Sequence, residues 1–233
     1  MNPRFAVIVL GLSSIGWGLT WIPVKGINQL GLHTPHLILI AFSAATIALL
    51  PWVFKQRTAW LPALPLMLSL AALGGFANVA FHTAIAEGDV IRVMILFYML
   101  PIWSALGGKI CLKERIDTRR IIALLLCIGG AFCILEAWQF GFNQFTWIDL
   151  LALSSGMGVA ANNILFRFSA SIPIASKIGF MFIGGIVCIG LSIAFFPTTP
   201  PTDFQALDYK TILYTISYGL FGLLLITFGS QWA

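Results

Sequence analysis

The sequence predicts an all-α fold, a polytopic bundle of membrane-spanning helices. Composition is the first observation: 59% of the 233 residues are hydrophobic and only 9% are charged, against about a quarter charged in soluble domains. The second is that the apolar residues form eight blocks of about twenty residues, the length that crosses a hydrocarbon layer of about 30 Å. The third is that these blocks lack the period-two alternation of membrane β-barrel strands. Eight transmembrane helices are therefore predicted.

The first four helices are predicted over residues 5–24, 36–54, 63–86 and 91–111. The first is too long for a removable signal peptide, and no small-residue cleavage pattern follows it before Lys25. His33 and His36 have a metal-like spacing, but the proline between them indicates the start of the second helix, so we predict no metal site there. Residues 87–89 leave room only for a tight turn between the third and fourth helices.

The last four helices are predicted over residues 119–136, 147–166, 175–196 and 211–232. Asp117 or Thr118 offers a cap for the fifth helix, and Thr146 and Asp149 have the spacing of a capping box at the start of the sixth. The four cysteines lie in or at the ends of apolar blocks without paired-ligand spacing, so we expect ordinary helix packing rather than metal or disulfide roles. They are Cys111, Cys127, Cys133 and Cys188.

Lysine and arginine residues are distributed unequally between the two sides of the predicted bundle. Ten of the thirteen fall on the side of the N-terminus: Arg4, Lys55, Arg57, Lys109, Lys113, Arg115, Arg119, Arg120, Arg167 and Lys177. Lys25, Arg92 and Lys210 fall on the other side. The positive-inside rule then predicts that both termini are cytoplasmic. Because the basic residues occupy many short connections rather than one patch, a nucleic-acid partner is not expected.

Three segments carry a family pattern: WGLTWIPVK at 17–25, GGFANVAFHTAIAEGDVIRVMILFYMLPIW at 74–103, and LKERI at 112–116. Together they resemble the EamA-like branch of the drug/metabolite transporter superfamily. Their order, spacing and loop charges extend the resemblance over essentially the whole chain. The charges that match the family pattern are Lys25, Glu114, Arg115 and Arg167.

The resemblance implies two inverted five-helix repeats with a substrate site near the membrane midplane between them. The first EamA-like repeat would cover residues 1–136, an outer loop 137–146, and the second repeat 147–233. Arg167 falls in the second repeat where Lys25 falls in the first. The second repeat is expected to be incomplete, because the ninth and tenth helices of the family pattern have no counterpart here. Either a truncated product or a form completed by a homo-oligomer or another polypeptide would explain this.

Candidate substrate-cavity residues are polar or aromatic side chains well inside the predicted helices, where unpaired polar groups are costly and usually face a cavity or another helix. Pro101 is included because proline frees a backbone carbonyl. The set is Trp17, Thr20, Trp21, Asn78, His82, Tyr98, Pro101, Trp103, Asn162, Asn163, Tyr214 and Tyr218.

Each candidate also has a structural interpretation. The asparagines are equally suited to hydrogen bonds between helices, and the tryptophans to packing. His82 would carry protons in coupled export or serve as a packed, hydrogen-bonded residue. Lys25 would extend to the surface or pair with Glu87 or Asp89 in the neighbouring turn. No catalytic residue and no metal ligand is predicted.

The resemblance implies an integral membrane transporter, an efflux protein that exports a small amphipathic metabolite, amino acid or drug by alternating access. No cofactor is expected; the partners are the lipid bilayer and a small-molecule substrate. The family is common in bacteria, which implies a multi-pass protein of the plasma membrane, the bacterial inner membrane. Two alternatives remain open at this point: a non-transporting or truncated membrane subunit that needs a partner, and an intramembrane enzyme. The enzyme is poorly supported, since the sequence has neither a nucleophile motif nor a phosphate-cradling loop.

Overall fold

The computed structural model describes residues 3–114, 117–134, 145–195, 202–205 and 207–232. Within these ranges twelve α-helices are present: α1 (Pro3–Leu19), α2 (Trp21–Gln29), α3 (Thr34–Lys55), α4 (Arg57–Trp60), α5 (Leu64–Glu87), α6 (Val90–Phe97), α7 (Leu100–Cys111), α8 (Thr118–Ile134), α9 (Trp147–Phe168), α10 (Ile174–Phe195), α11 (Tyr209–Ser217) and α12 (Leu225–Trp232). A short 3-10 helix, Leu61–Ala63, precedes α5. A π-helix, Tyr218–Leu224, joins α11 to α12. Arg115, most of the loop 137–146 and the side chain of Cys127 lie outside the described residues.

The predicted all-α membrane bundle is confirmed. The described residues contain no strand, and seven of their helical stretches are long and apolar enough to cross a membrane. These are Arg4–Gln29, Thr34–Lys55, Arg57–Glu87, Val90–Cys111, Trp147–Phe168, Ile174–Phe195 and Tyr209–Trp232. The helix predicted over 119–136 is α8, with 17 residues.

Two of the predicted helices are interrupted where the sequence predicted a continuous run. The first, predicted over 5–24, breaks after Leu19 and continues as α2 to Gln29. The fourth, predicted over 91–111, breaks after Phe97 and resumes at Leu100. A proline follows each break by four residues, Pro23 and Pro101. Because proline has no N–H, the carbonyl four residues earlier receives no helical hydrogen bond, and the helix ends there.

Successive membrane-spanning stretches run in opposite directions. The bundle therefore has a basic end and an acidic end. The basic end carries Lys55, Arg57, Lys109, Arg167 and Lys177; the acidic end carries Glu87, Asp89, Asp149, Asp203 and Asp208. At the basic end, the Ser176 hydroxyl donates to Oε1 of Gln56 at 2.7 Å. At the acidic end, the Lys25 ammonium donates to the Gly88 carbonyl at 3.0 Å. These contacts join distant parts of the chain at each end.

The long helix α5 lies at the centre and packs against α9 and α10, while α10 also packs against α3. Small residues occupy the closest approaches: a Cβ added to Gly75 would overlap the backbone of α10, and one added to Gly158 would overlap Ala77. Small side chains at helix crossings let backbones approach within van der Waals distance, which drives association where lipid supplies no hydrophobic effect. This tight packing fixes the positions of the polar side chains on α5 and α9.

Local features predicted from spacing are largely present. The capping box at the start of α9 is confirmed: the Asp149 amide donates to Thr146 Oγ1 at 3.4 Å, and the Thr146 amide donates to Asp149 Oδ2 at 2.7 Å. The second helix begins at Thr34, between His33 and His36. The described cysteines carry free thiols. Cys188 is half-buried, whereas Cys111 and Cys133 are exposed on the outer surface of the bundle rather than packed between helices.

Candidate functional site

A cavity of about 650 Å³ lies inside the bundle, from mid-helix to the basic end. It is enclosed by α1, α5, α6, α7, α9, α10 and α12. Its walls combine aromatic rings, side-chain amides, hydroxyls and two cations. The lining residues are Ser14, Trp17, Gly18, Ala77, Asn78, Phe81, Met94, Phe97, Tyr98, Leu100, Val159, Asn162, Asn163, Phe166, Arg167, Lys177, Met181, Thr227, Ser230 and Gln231.

Five of the twelve predicted cavity residues line this space: Trp17, Asn78, Tyr98, Asn162 and Asn163. They come from four separate parts of the chain, which the packing around α5 brings together. Asn163 accepts a hydrogen bond from Gln231 Nε2 at 3.3 Å, which joins α9 to α12 at the basic end. Asn162 and Asn163 are adjacent in sequence, and both line the cavity.

Some polar atoms of the lining have no hydrogen-bond partner among the described residues. Asn162 is 4% exposed and its Oδ1 atom is unpartnered; Thr227 is 3% exposed and its hydroxyl is unpartnered. Burial of a polar group without a hydrogen bond is costly, and such groups commonly meet water or a ligand. Asn78 is better satisfied, since its Nδ2 donates to the Gly74 carbonyl at 2.8 Å.

His82 and Tyr218 are hydrogen-bonded to each other. With the buried Thr20 beside them they form the His82 layer, one turn nearer the acidic end than Trp17 and Asn78. His82 is completely buried. Its Nδ1 lies 2.7 Å from the Asn78 carbonyl oxygen, and a carbonyl only accepts, so we assign the proton to Nδ1. Nε2 then accepts from the Tyr218 hydroxyl at 3.0 Å.

The His82 layer connects three helical segments. Thr20, at the break between α1 and α2, is buried beside Tyr218, and its hydroxyl donates to the Gly16 carbonyl at 3.2 Å. Trp17 and Phe42 pack edge-on against the imidazole, with ring centroids 6.4 and 5.6 Å away. Both ring nitrogens of His82 are therefore satisfied by neutral partners. This geometry matches a neutral imidazole that links helices.

Four of the predicted residues lie elsewhere. Trp21 is 37% exposed and Tyr214 is 62% exposed, so both project from the outer surface of the bundle. Pro101 and Trp103 are half-buried on α7. The indole N–H of Trp103 has no hydrogen-bond partner among the described residues. None of these four lines the cavity described above.

The charges of the family pattern occupy both ends of the bundle. Arg167 Nη1 donates to Glu114 Oε1 at 2.7 Å at the basic end. At the acidic end, Lys25 contacts the tight turn at 87–89, but its acceptor is the Gly88 carbonyl and not the carboxylate of Glu87 or Asp89 that was one of the two alternatives. Arg115 lies outside the described residues.

Sequence reasoning missed the partners and surroundings of two basic side chains. Lys177 lines the cavity and is only 5% exposed. Its charge was assigned to a loop, although it lies inside the block predicted over 175–196. Arg92 forms a bidentate ion pair with Asp149, with Nε to Oδ1 at 2.6 Å and Nη2 to Oδ2 at 2.8 Å. Spacing predicted the capping role of Asp149 but not its partner.

A second cavity of about 1080 Å³ lies toward the acidic end, between α3, α5, α9 and α10. Its walls are mostly apolar, with His33, Thr83 and Glu87 among the few polar residues. It contains none of the twelve predicted residues. The smaller cavity, which concentrates amides and cations inside the membrane-spanning helices, is therefore the stronger candidate for a solute site.

Comparisons with known proteins agree with this architecture. The model of the EamA-like transporter family matches residues 4–136, more than half of the chain. No curated protein and no solved structure matches the chain. The matched region contains α1 through α8, and hence Trp17, Asn78 and Tyr98 of the cavity. The chain is a multi-pass membrane protein and belongs to the EamA-like transporter family.

Proposed function

We propose that the protein is a carrier that exports a small amphipathic solute by alternating access through the cavity between α1, α5, α9 and α12. The observation that carries the proposal is the cavity itself. A space of about 650 Å³ falls in the range of small-molecule sites, about 300–1,000 Å³. Its aromatic walls suit an apolar solute body, and its amides and hydroxyls suit a few hydrogen-bonding groups.

The two directions out of the cavity differ, which supports alternating access. Toward the basic end the lining continues through Arg167 and Gln231. Toward the acidic end the His82 layer separates the cavity from the outer turns. If the basic end is cytoplasmic, as the positive-inside rule predicts, this conformation is the one that loads solute from the cytoplasm. Export then requires the His82 layer to open.

The π-helix at Tyr218–Leu224 gives that opening a structural basis. Tyr218, its first residue, donates to His82. π-Helical turns are rare and occur frequently at functional sites. Conversion of this turn to α-helix would rotate Tyr218 relative to α12 and break the His82 layer.

Transport by purified protein in lipid vesicles tests the proposal. Vesicles that contain the protein are loaded with a panel of labelled metabolites, amino acids and drugs. Release of each solute is compared with its release from vesicles without protein. Trp17→Ala should lower transport of the solute that is moved, whereas Trp52→Ala should not, since Trp52 is 54% exposed on the outer surface. Failure to move any solute would reject the carrier function and favour a subunit that needs a partner. Equal effects of the two variants would reject this cavity.

A further inference from the structure

Lys177 is a buried cation in the cavity wall, at the basic end. It lies in the first turn of α10, and the side chain reaches across to the last turn of α9. Its ammonium donates to the carbonyls of Phe166 and Ser169, both at 3.3 Å. It also lies 4.9 Å from the centroid of the Phe166 ring. An ammonium has three N–H donors, and these two carbonyls use two of them.

No carboxylate pairs with Lys177 among the described residues. Among the described residues that line the cavity, the charged side chains are Arg167 and Lys177, both cations. Arg167 is neutralised by Glu114 at 2.7 Å. The cavity therefore presents one positive charge that the described part of the chain leaves without a counter-ion. A buried charge without a partner is strongly unfavourable, and such charges in membrane proteins commonly mark ligand pathways.

A second observation in the same cavity points to a ligand. Asn162, one turn before Phe166 on α9, has an unpartnered Oδ1, and Thr227 on α12 has an unpartnered hydroxyl. Both residues line the cavity and are more than nine-tenths buried. The cation and the residues with unpartnered polar atoms thus line one aromatic-walled space. Together they fit a solute with an apolar body, a negative group and a hydrogen-bonding group.

We propose that the cavity selects solutes that carry an anionic group, a carboxylate or a phosphate, and that the Lys177 ammonium binds that group. This inference rests on the proposed carrier function for its biological meaning, but the binding itself can be measured without transport. Charge-assisted hydrogen bonds are roughly twice as strong as neutral ones. The negative group would therefore orient the solute, with its apolar body toward Trp17 and Phe81.

A purely structural function for Lys177 makes different predictions. Its two carbonyl acceptors belong to the C-terminal end of α9 and the turn after it, where a cation is favourable. If Lys177 only stabilises this end, its replacement lowers the unfolding temperature and leaves ligand preference unchanged. The experiment must therefore measure stability and acid-against-neutral preference separately.

The test is binding to the full chain in neutral detergent, measured by the ligand-dependent rise in unfolding temperature. The probes are N-acetylphenylalanine and its uncharged amide, hexanoate and hexanamide, and phenyl phosphate. We expect at least one anion to bind about tenfold or more tightly than its neutral counterpart. This is the difference in affinity expected for one charge-assisted hydrogen bond. Lys177→Gln should abolish that preference while Lys177→Arg keeps it. Lys55→Gln, a basic-end lysine outside the cavity, should leave it unchanged.

A chemical measurement on the wild-type protein decides the question even if Lys177→Gln does not fold. A small amine-acylating reagent that enters the cavity should modify Lys177, and mass spectrometry measures the extent of modification at that residue. No modification in the absence of a probe would mean that solutes do not reach the ammonium and would overturn the proposal. A bound anionic probe should slow acylation of Lys177, whereas the matched amide should not. Equal protection by both, or no binding by any anionic probe, would overturn the proposal. So would a Lys177→Gln variant that is less stable but keeps the anion preference.

Two further outcomes separate this inference from neighbouring explanations. If phosphatidylglycerol stabilises the protein in a Lys177-dependent manner while no soluble anion does, the bound group is a lipid headgroup and the solute proposal is wrong. If vesicles transport neutral solutes but no anion binds, the carrier function stands and the anion inference fails. If anions bind through Lys177 but no solute is transported, the site stands and the carrier function fails.

Discussion

The same two parts of the chain are joined by an ion pair at each end of the bundle, and the two pairs differ sharply. At the acidic end, Arg92 and Asp149 form two hydrogen bonds of 2.6 and 2.8 Å, and the aspartate side chain is only 2% exposed. At the basic end, Glu114 and Arg167 share a 2.7 Å contact, with side chains 27% and 61% exposed. The α6–α7 region and α9 are therefore joined by a buried ion pair at the acidic end and by a partly exposed one at the basic end.

This difference matches the position of the cavity. The lining extends to the basic end, where Arg167 itself contributes to the wall. Buried ion pairs are costly to break because the remaining charge is left in a low-dielectric environment. Exposed pairs contribute about 0–1 kcal/mol because water and salt screen them. The contrast indicates that the acidic-end pair contributes more to stability than the basic-end pair.

Asp149→Ala should produce the largest effect, since it breaks the tighter of the two pairs. It leaves the Arg92 guanidinium without its bidentate acceptor and removes the capping box with Thr146. We expect the free energy of unfolding in detergent to fall by about 3 kcal/mol or more. Asp208→Ala is the matched control, because Asp208 also caps a helix at the acidic end but is exposed. Its loss should cost about 1 kcal/mol. Equal losses of unfolding free energy in the two variants would contradict the distinction between a buried ion pair and an exposed helix cap.

Tyr218→Phe should have an intermediate effect and sharpens the comparison at the His82 layer. The variant removes the hydroxyl that donates to His82 Nε2 and keeps the ring. A buried acceptor left unsatisfied costs about 1–3 kcal/mol. Tyr214→Phe provides the control one turn earlier, because Tyr214 is 62% exposed. The unfolding temperatures of the two variants decide the matter: if they are the same, the Tyr218–His82 hydrogen bond does not contribute to stability.

Glu114→Gln should have the smallest effect. The variant removes the charge of Glu114, the partly exposed partner of Arg167. We expect the free energy of unfolding to fall by about 1 kcal/mol or less. Since the interaction is partly exposed, added salt should reduce the difference from wild type. Asp117→Asn, an exposed acidic residue close by in the same connection, provides the control. A loss for Glu114→Gln as large as that for Asp149→Ala would show that the two ends are equally fixed.

Features that depend on neighbouring residues were predictable from the sequence. The eight apolar blocks, the capping box of Thr146 and Asp149, and the start of α3 at Thr34 all follow from local patterns. The fold class followed because membrane helices satisfy their backbone hydrogen bonds internally, so hydropathy alone reveals them. Five side chains of the cavity were also identified, because polar groups within apolar blocks are costly and conspicuous.

Features that depend on tertiary packing were not predictable. Arg92 and Asp149 are 57 positions apart, and helical periodicity carries no information on such pairing. Tyr214 and Tyr218 are spaced to share a helical face, yet Tyr218 is buried and Tyr214 is exposed. The π-helix that begins at Tyr218 was not predicted either; its hydrogen bonds run from i to i+5, a pattern that apolar periodicity does not reveal. The burial of Lys177 in the cavity wall was not predicted, because a lysine near a helix end usually lies at the surface.

The central claim is that the cavity opens at the basic end and is closed by the His82 layer, and sided cysteine labelling tests it most directly. Ser230→Cys places a thiol in the cavity wall near the basic end, and Thr20→Cys places one in the His82 layer. Both are made in a background without native cysteines and probed with a membrane-impermeant maleimide in vesicles of known orientation. We predict rapid labelling of Ser230→Cys from the cytoplasmic side alone, slowed by a transported solute, and little labelling of Thr20→Cys from either side. Labelling of Ser230→Cys from the opposite side, or equal labelling of the two variants, would contradict the account.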